Sequence, residues 1–146
     1  MSLLAHKETV VERQVEVVLV ERTTLRGHEA VISSNLEKRK AKILERGFYK
    51  PIIVDSATLV ILDGHHKWTA ADILELDLVP VVKVDYLSDE SILVDVWPEC
   101  GRESVTKQEV LEMGLSEEVF PPKTSRHIFS FPVPSIQIPL SELMSQ

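Results

Sequence analysis

The stretch 59–71, LVILDGHHKWTAA, restricts the possible folds more than any other part of the chain. Four apolar residues, Leu59 to Leu62, run without a break into Asp63-Gly64, and helix formers follow at once. A run of this kind reads as a buried strand that turns directly into a helix. Such a unit needs a sheet around the strand and a packing partner for the helix. Other short runs supply the sheet. VEVVLVE (15–21) reads as a first strand, KPIIVD (50–55) and TLVIL (58–62) as a hairpin turned at Asp55-Ser56-Ala57. VPVVKVDYL (79–87) and ILVDVW (92–97) give two more strands, joined at Ser88-Asp89-Glu90.

Helices fall between them. The segment from His28 to Arg46 reads as a helix stopped by Gly47, and 64–77 as a second, with Trp68, Ala71 and Leu74 near one face. TKQEVLEMG (106–114) reads as a short third helix ended by Gly114. The expected architecture is α+β: a single small mixed sheet flanked by helices, with an extended C-terminal tail. One domain covers residues 1–146, with 1–12 flexible and 115–146 packing on the core as a tail. That tail holds five of the eight prolines, and SIQIPL (135–140) is a candidate edge strand.

Composition narrows the function. With 23 carboxylates against 16 Lys and Arg, the chain is too acidic for a dedicated nucleic-acid binder, which works by neutralising phosphates. No apolar run approaches the roughly 20 residues of a membrane span, and the first residues lack the pattern of a signal peptide. A lone cysteine, Cys100, suits a reducing compartment, so the cytoplasm is expected. Charge is uneven. Residues 37–50 carry six basic side chains against two acidic ones, and Lys38, Lys42 and Arg46 form an i, i+4, i+8 stripe. That stripe is a solvated face or a lure for an anion.

Three short motifs carry the chemistry, and four of the five histidines fall within them. DGHHK (63–67) places a glycine, two imidazoles and a lysine where a helix begins, so unpaired N–H groups and the helix dipole favour an anion. Alternatively Asp63 only caps the helix. A metal site fits less well, because adjacent histidines on a turn diverge and no second ligand pair stands at a characteristic spacing. RGHEA (26–30) places Glu29 in the first turn of a helix, where a carboxylate is also ordinary electrostatics. PPKTSRH (121–127) offers Lys, Thr, Ser, Arg and His on an extended tail, and Arg suits bidentate binding of carboxylate or phosphate.

These three motifs in this order resemble the free L-serine kinases of the ParB/sulfiredoxin-like superfamily. There an HE pair, a DGHHR turn and a PKTTRH-like segment build one active site. The resemblance runs from about Val15 to Leu143. It implies phosphoryl transfer from ADP or ATP, with Mg²⁺, to the hydroxyl of free L-serine. Glu29 would be the general base, and Asp63 would orient the hydroxyl or the Mg²⁺. Gly64, His65, His66 and Lys67 would cradle the phosphate. Trp97 would wall the serine site, and Thr124, Arg126 and His127 would hold carboxylate and phosphate.

The chain departs from the family at Lys67, where arginine is usual, and in the short stretch between Pro98 and Pro121. Two neighbours in the superfamily fit less well. Sulfiredoxins carry a catalytic cysteine where His65 stands, and ParB partition proteins use a Glu-Arg-Arg turn and add a helix-turn-helix. A ParB-like nucleotide-binding or DNA-associated module, or a sensor of nucleotide or phosphoserine without turnover, remain the alternatives. Partners are thus L-serine and a nucleotide, with no membrane; no oligomeric state is legible.

Overall fold

A computed structural model describes residues 15–144; the expected flexible segment 1–12 lies outside the described residues. The strands are β1 (Val18–Glu21), β2 (Ile52–Asp55), β3 (Ile61–Asp63), β4 (Leu78–Val84), β5 (Ile92–Val96) and β6 (Ser125–Phe129). Three α-helices, α1 (Ser33–Arg46), α2 (His65–Ile73) and α3 (Lys107–Leu115), accompany them.

Four strands form a mixed sheet in the order β1-β4-β2-β3. β4 pairs antiparallel with β1 and parallel with β2, while β2 and β3 form the expected hairpin. The inner position of β2 explains why Ile52, Ile53 and Val54 are all apolar and buried. Ile52 and Val54 face a core that includes Ile43 of α1 and Ala70 and Ala71 of α2. Ile53 faces the opposite core, with Val110 and Leu111 of α3 and Ile92 of β5. A strand covered on both sides favours apolar residues; the one polar residue of β2, Asp55 at its end, is buried with its carboxylate accepting from Thr58 and from the Tyr86 N–H.

Four expectations are corrected. β5 does not join the mixed sheet: it pairs with β6 as a separate antiparallel ribbon, Val94 opposite His127. β1 starts at Val18, not Val15. α1 starts at Ser33, five residues after His28, because 28–32 is held extended. Ala30 N–H donates to Phe120 O (2.8 Å), and Phe120 N–H donates to His28 O (2.7 Å). Gly114 does not end α3, which runs to Leu115. Its missing side chain makes room for Val60, whose Cγ1 would lie 2.6 Å from a Cβ there.

Gly47 does stop α1, at φ 79°. The tail crosses beside it, where Phe48 N–H donates to Ile138 O (2.9 Å) and Ile138 N–H to Phe48 O (3.1 Å). SIQIPL thus makes an isolated bridge rather than a full edge strand.

Candidate active site

At the end of β3, Gly64 turns the chain into α2 through a left-handed backbone, φ 112°. Most side chains resist that conformation, and a Cβ would also lie 3.1 Å from Ile52 Cγ1. No side chain caps α2. Asp63 is exposed and leaves the helix end open, so the capping alternative fails. The first N–H groups of α2, at the positive end of its dipole, are therefore free of any side-chain cap.

The two histidines of the turn clamp the preceding segment to α2. His28 N–H donates to His65 Nε2 (3.0 Å), and Ile32 N–H donates to His66 Nε2 (3.0 Å). An imidazole nitrogen that accepts carries no proton, so each ring is held as the Nδ1–H tautomer. Burial pushes the pKa of His65 well down, and nearby His28, His127 and His66 add to this. Burial also lowers His66, reinforced by the cations Arg39, Lys67 and Lys123. These rings are neutral donors through Nδ1 rather than phosphate-binding cations.

The clamped segment delivers Glu29, not on a helix but on an extended strand bridged to Phe120. Successive N–H groups of the tail converge on its carboxylate. Lys123 N–H donates to Oε2 (3.2 Å); Thr124 N–H (3.3 Å) and Ser125 N–H (2.9 Å) donate to Oε1. A left-handed Lys123, φ 57°, turns the backbone so that these groups converge. Behind them lies His28, fully buried, which sequence reading treated only as part of a motif. Its Nδ1 contacts Ile61 O (2.7 Å) and its Nε2 contacts Ser125 Oγ (2.9 Å). Burial lowers its pKa to about 4.

Glu29, Asp63, Gly64, His65, His66, Trp97, Arg126 and His127 all line one cavity of about 300 Å³. Three motifs more than 30 residues apart thus meet at one place, where Arg126 and the DGHHK turn line the same cavity. Trp97 organises this rim. Its Nε1–H donates to Ser125 O (3.1 Å), and Lys123 Nζ and the Arg126 guanidinium each lie 5.1 Å from its ring centre. His127 Nε2 contacts Tyr86 Oη (2.8 Å), and burial lowers its pKa to about 3. Thr124 does not line the cavity. It is buried, and its hydroxyl donates to Pro121 O (2.7 Å), so only its backbone serves the site.

Lys67 points elsewhere. It lines a second, larger cleft of about 630 Å³, with Arg39, Lys42, Arg46 and Lys50. Asp63 and Arg39 line both spaces, so the two adjoin. The basic wall is Arg39, Lys42 and Arg46, at i, i+3, i+7, with Lys38 off the wall. Burial lowers the Lys67 pKa, opposed by the carboxylate of Asp63. Sequence reading missed Arg39, Lys50, Tyr49 and Ser125. Among the described residues no group of three or more His, Cys, Asp or Glu could hold a metal. None of the described helices is long and apolar enough to cross a membrane.

This architecture is the fold of the free serine kinases. A free serine kinase in complex with AMP superposes with a TM-score of 0.80 at 20% identity, over 91% of this chain and 95% of that one. A mutant free serine kinase in complex with ADP superposes equally well, TM-score 0.80 at 20% identity, over 91% and 96% of the two chains.

In sequence, the chain is 29% identical over 119 residues to an ATP-dependent L-serine kinase of Staphylothermus marinus, covering 77% of this chain and 47% of that protein. It is 28% identical over 96 residues to an ADP-dependent L-serine kinase of Thermococcus kodakarensis, covering 62% and 39%. A ParB-like protein of Sulfolobus acidocaldarius is 39% identical over 66 residues, 45% of this chain and 33% of that one. The chain spans less than half the length of these curated relatives. No family model matches the sequence. The resemblance to free L-serine kinases drawn from the three motifs is borne out.

Proposed function

We propose that the protein transfers a phosphoryl group from ADP or ATP to the hydroxyl of free L-serine, giving O-phospho-L-serine. One observation carries this reading: a small cavity holding one hydrogen-bonded carboxylate, Glu29, adjoins a larger basic cleft at Asp63. Both volumes fall within the ~300–1,000 Å³ typical of small-molecule sites. The amino acid fits the smaller space. Its carboxylate goes to Lys123 and Arg126 beside Trp97, and its hydroxyl is directed to Glu29. The nucleotide's non-transferred phosphates fit the cleft, where five cations face one carboxylate in a protein of net charge −7.

The transferred group then lies where the two spaces meet, against the uncapped N–H groups of α2. Phosphoryl transfer needs little more than this: alignment, charge neutralisation and a base for the hydroxyl proton. Mg²⁺ fits as an ion carried by the nucleotide, with Asp63 the carboxylate at the junction able to meet it. Neutral imidazoles at His65, His66 and His127 add donors without competing for the proton that Glu29 must accept. Lys67 belongs to the donor side, and Thr124 shapes the acceptor side through its backbone. The lone Cys100 and the absence of a membrane helix among the described residues suit a cytoplasmic enzyme.

The test is direct. Purified protein with L-serine, Mg²⁺ and either ADP or ATP should yield phosphoserine by mass spectrometry. Folded protein that makes none with either donor overturns the kinase reading. The ParB-like relative supports a second reading, a nucleotide-binding module without turnover; nucleotide-dependent DNA binding in the absence of phosphoserine formation would select it.

A further inference from the structure

Around Glu29 the protons do not match the acceptors. Ile61 O can only accept, so the hydrogen in its 2.7 Å contact with His28 belongs to Nδ1. His28 is fully buried and neutral, which leaves Nε2 bare. Among the described residues the partner within reach of Nε2 is Ser125 Oγ, at 2.9 Å. That same oxygen lies 2.9 Å from Glu29 Oε1. One hydroxyl hydrogen therefore stands between two acceptors. While Glu29 is a carboxylate, the charge-assisted bond wins, and a buried nitrogen lone pair faces an oxygen lone pair. Such an unpaired buried acceptor is costly.

We propose that Ser125 and His28 act as a hydroxyl switch behind Glu29, moving one hydrogen bond from carboxylate to imidazole when Glu29 accepts the substrate's proton. This rests on the kinase reading for the source of the proton. Oε1 already receives two backbone N–H groups and the serine hydroxyl, whereas Oε2 receives one N–H at 3.2 Å. The incoming proton therefore lands on Oε2, as the substrate oxygen bonds to phosphorus and the bond to the nucleotide's leaving oxygen breaks.

Oε1, now the carbonyl oxygen of a neutral acid, keeps its two N–H donors. The Ser125 hydroxyl rotates about its Cβ–Oγ bond and donates to His28 Nε2. No covalent bond changes in Ser125 or His28, and every buried acceptor is then paired. The hydrogen bond that His28 gains offsets the one that Glu29 gives up on protonation. Ser125 and His28 are positioning residues in this scheme: the proton never resides on either.

The experiment has two arms. In the first, Ser125→Ala should lower kcat about 10- to 100-fold, the scale of a lost hydrogen bond to a charged group. Serine KM should stay within roughly two-fold, and Ser125→Thr, which keeps the hydroxyl, should restore kcat. A purely structural Ser125 would give Ala and Thr variants that fail or survive together. The second arm needs no turnover. Glu29→Gln mimics the neutral acid, so in protein labelled with ¹⁵N-histidine the His28 Nε2 resonance should move upfield relative to wild type, and should not move when Ser125→Ala is added.

An unchanged kcat in Ser125→Ala, or a His28 Nε2 resonance indifferent to Glu29→Gln, overturns the switch. If wild-type protein makes no phosphoserine, the kinase reading fails, and the resonance comparison alone decides the switch. Should Ser125→Ala fail to fold, the wild-type and Glu29→Gln spectra still decide it.

Discussion

The two adjoining spaces are built on opposite principles. Around Glu29 nearly every polar group is engaged by another part of the protein: carboxylate by tail amides, imidazoles by backbone N–H groups, tryptophan by a carbonyl. In the cleft on α1 the charges stand largely unengaged. Lys67 is buried to 8% exposure with its ammonium 5.7 Å from the Tyr49 ring centre, and among the described residues the Tyr49 hydroxyl is buried without a well-formed partner, although the Arg39 guanidinium is close by. One space is held by hydrogen bonds within the protein; the other is lined by cations. In the proposed reaction this division is useful: chemistry on a proton requires sub-ångström placement, whereas holding a polyanion requires mainly charge.

That division can be broken at several points. The largest effect is expected from Glu29→Gln, which keeps the shape and removes the base. Phosphoserine formation should fall about 10²- to 10⁴-fold, the usual scale for a lost general base. Nucleotide affinity, measured by calorimetry, should barely change. An equal loss in both would show that the two spaces do not work separately.

Acid should strike the fixed space first. The folded-state pKa values of His28 and His127 are depressed to about 4 and about 3, below the ordinary value of 6.5. The unfolded chain therefore binds more protons between those values. Stability is complete above pH 6.5 and is lost as pH falls towards 4. Urea unfolding at pH 4.5 should show stability lower by about 2 kcal/mol or more than at pH 7. A flat profile would mean that these imidazoles are not buried and neutral.

The smallest effect belongs to the cleft. Arg46→Ala removes one exposed cation from its wall and should weaken nucleotide binding by about 1 kcal/mol, between the values for surface pairs and for charged hydrogen bonds. The difference from wild type should shrink at high salt, with serine KM unchanged. A loss confined to serine would reverse the assignment of the two spaces.

Much of this was legible in the sequence, because some signals are local. The run Leu59 to Leu62 into Asp63-Gly64 gave the strand, the turn and the helix, and the family resemblance carried by the three motifs implied one site. What was not legible depended on partners far along the chain. Glu29 was expected on a helix because nothing near it betrays Phe120, which holds it extended from 91 positions away. The basic stripe was read at spacing four, which selects Lys38; the actual wall follows i, i+3, i+7 and selects Arg39, since a helix of 3.6 residues per turn allows either.

Ser125 could have been found. Read as a strand, SRHIF alternates less and more exposed residues, which puts Ser125 and His127 on one face of the strand and Arg126 on the other. The separate ribbon escaped notice because two adjacent apolar runs, β4 and β5, suggest a hairpin, and nothing local shows that β5 instead waits for β6.

The clasp on Glu29 joins residues 94 to 96 positions apart. Closing a chain loop of that length costs about 4 kcal/mol in entropy, beyond a constant term. Contacts so distant in sequence form late. During synthesis, Glu29 leaves the ribosome long before residues 123–125 exist to receive it, and until they follow it is an ordinary surface carboxylate. Assembly thus acts as a timer, and the clasp on Glu29 closes only after residues 123–125 have been made.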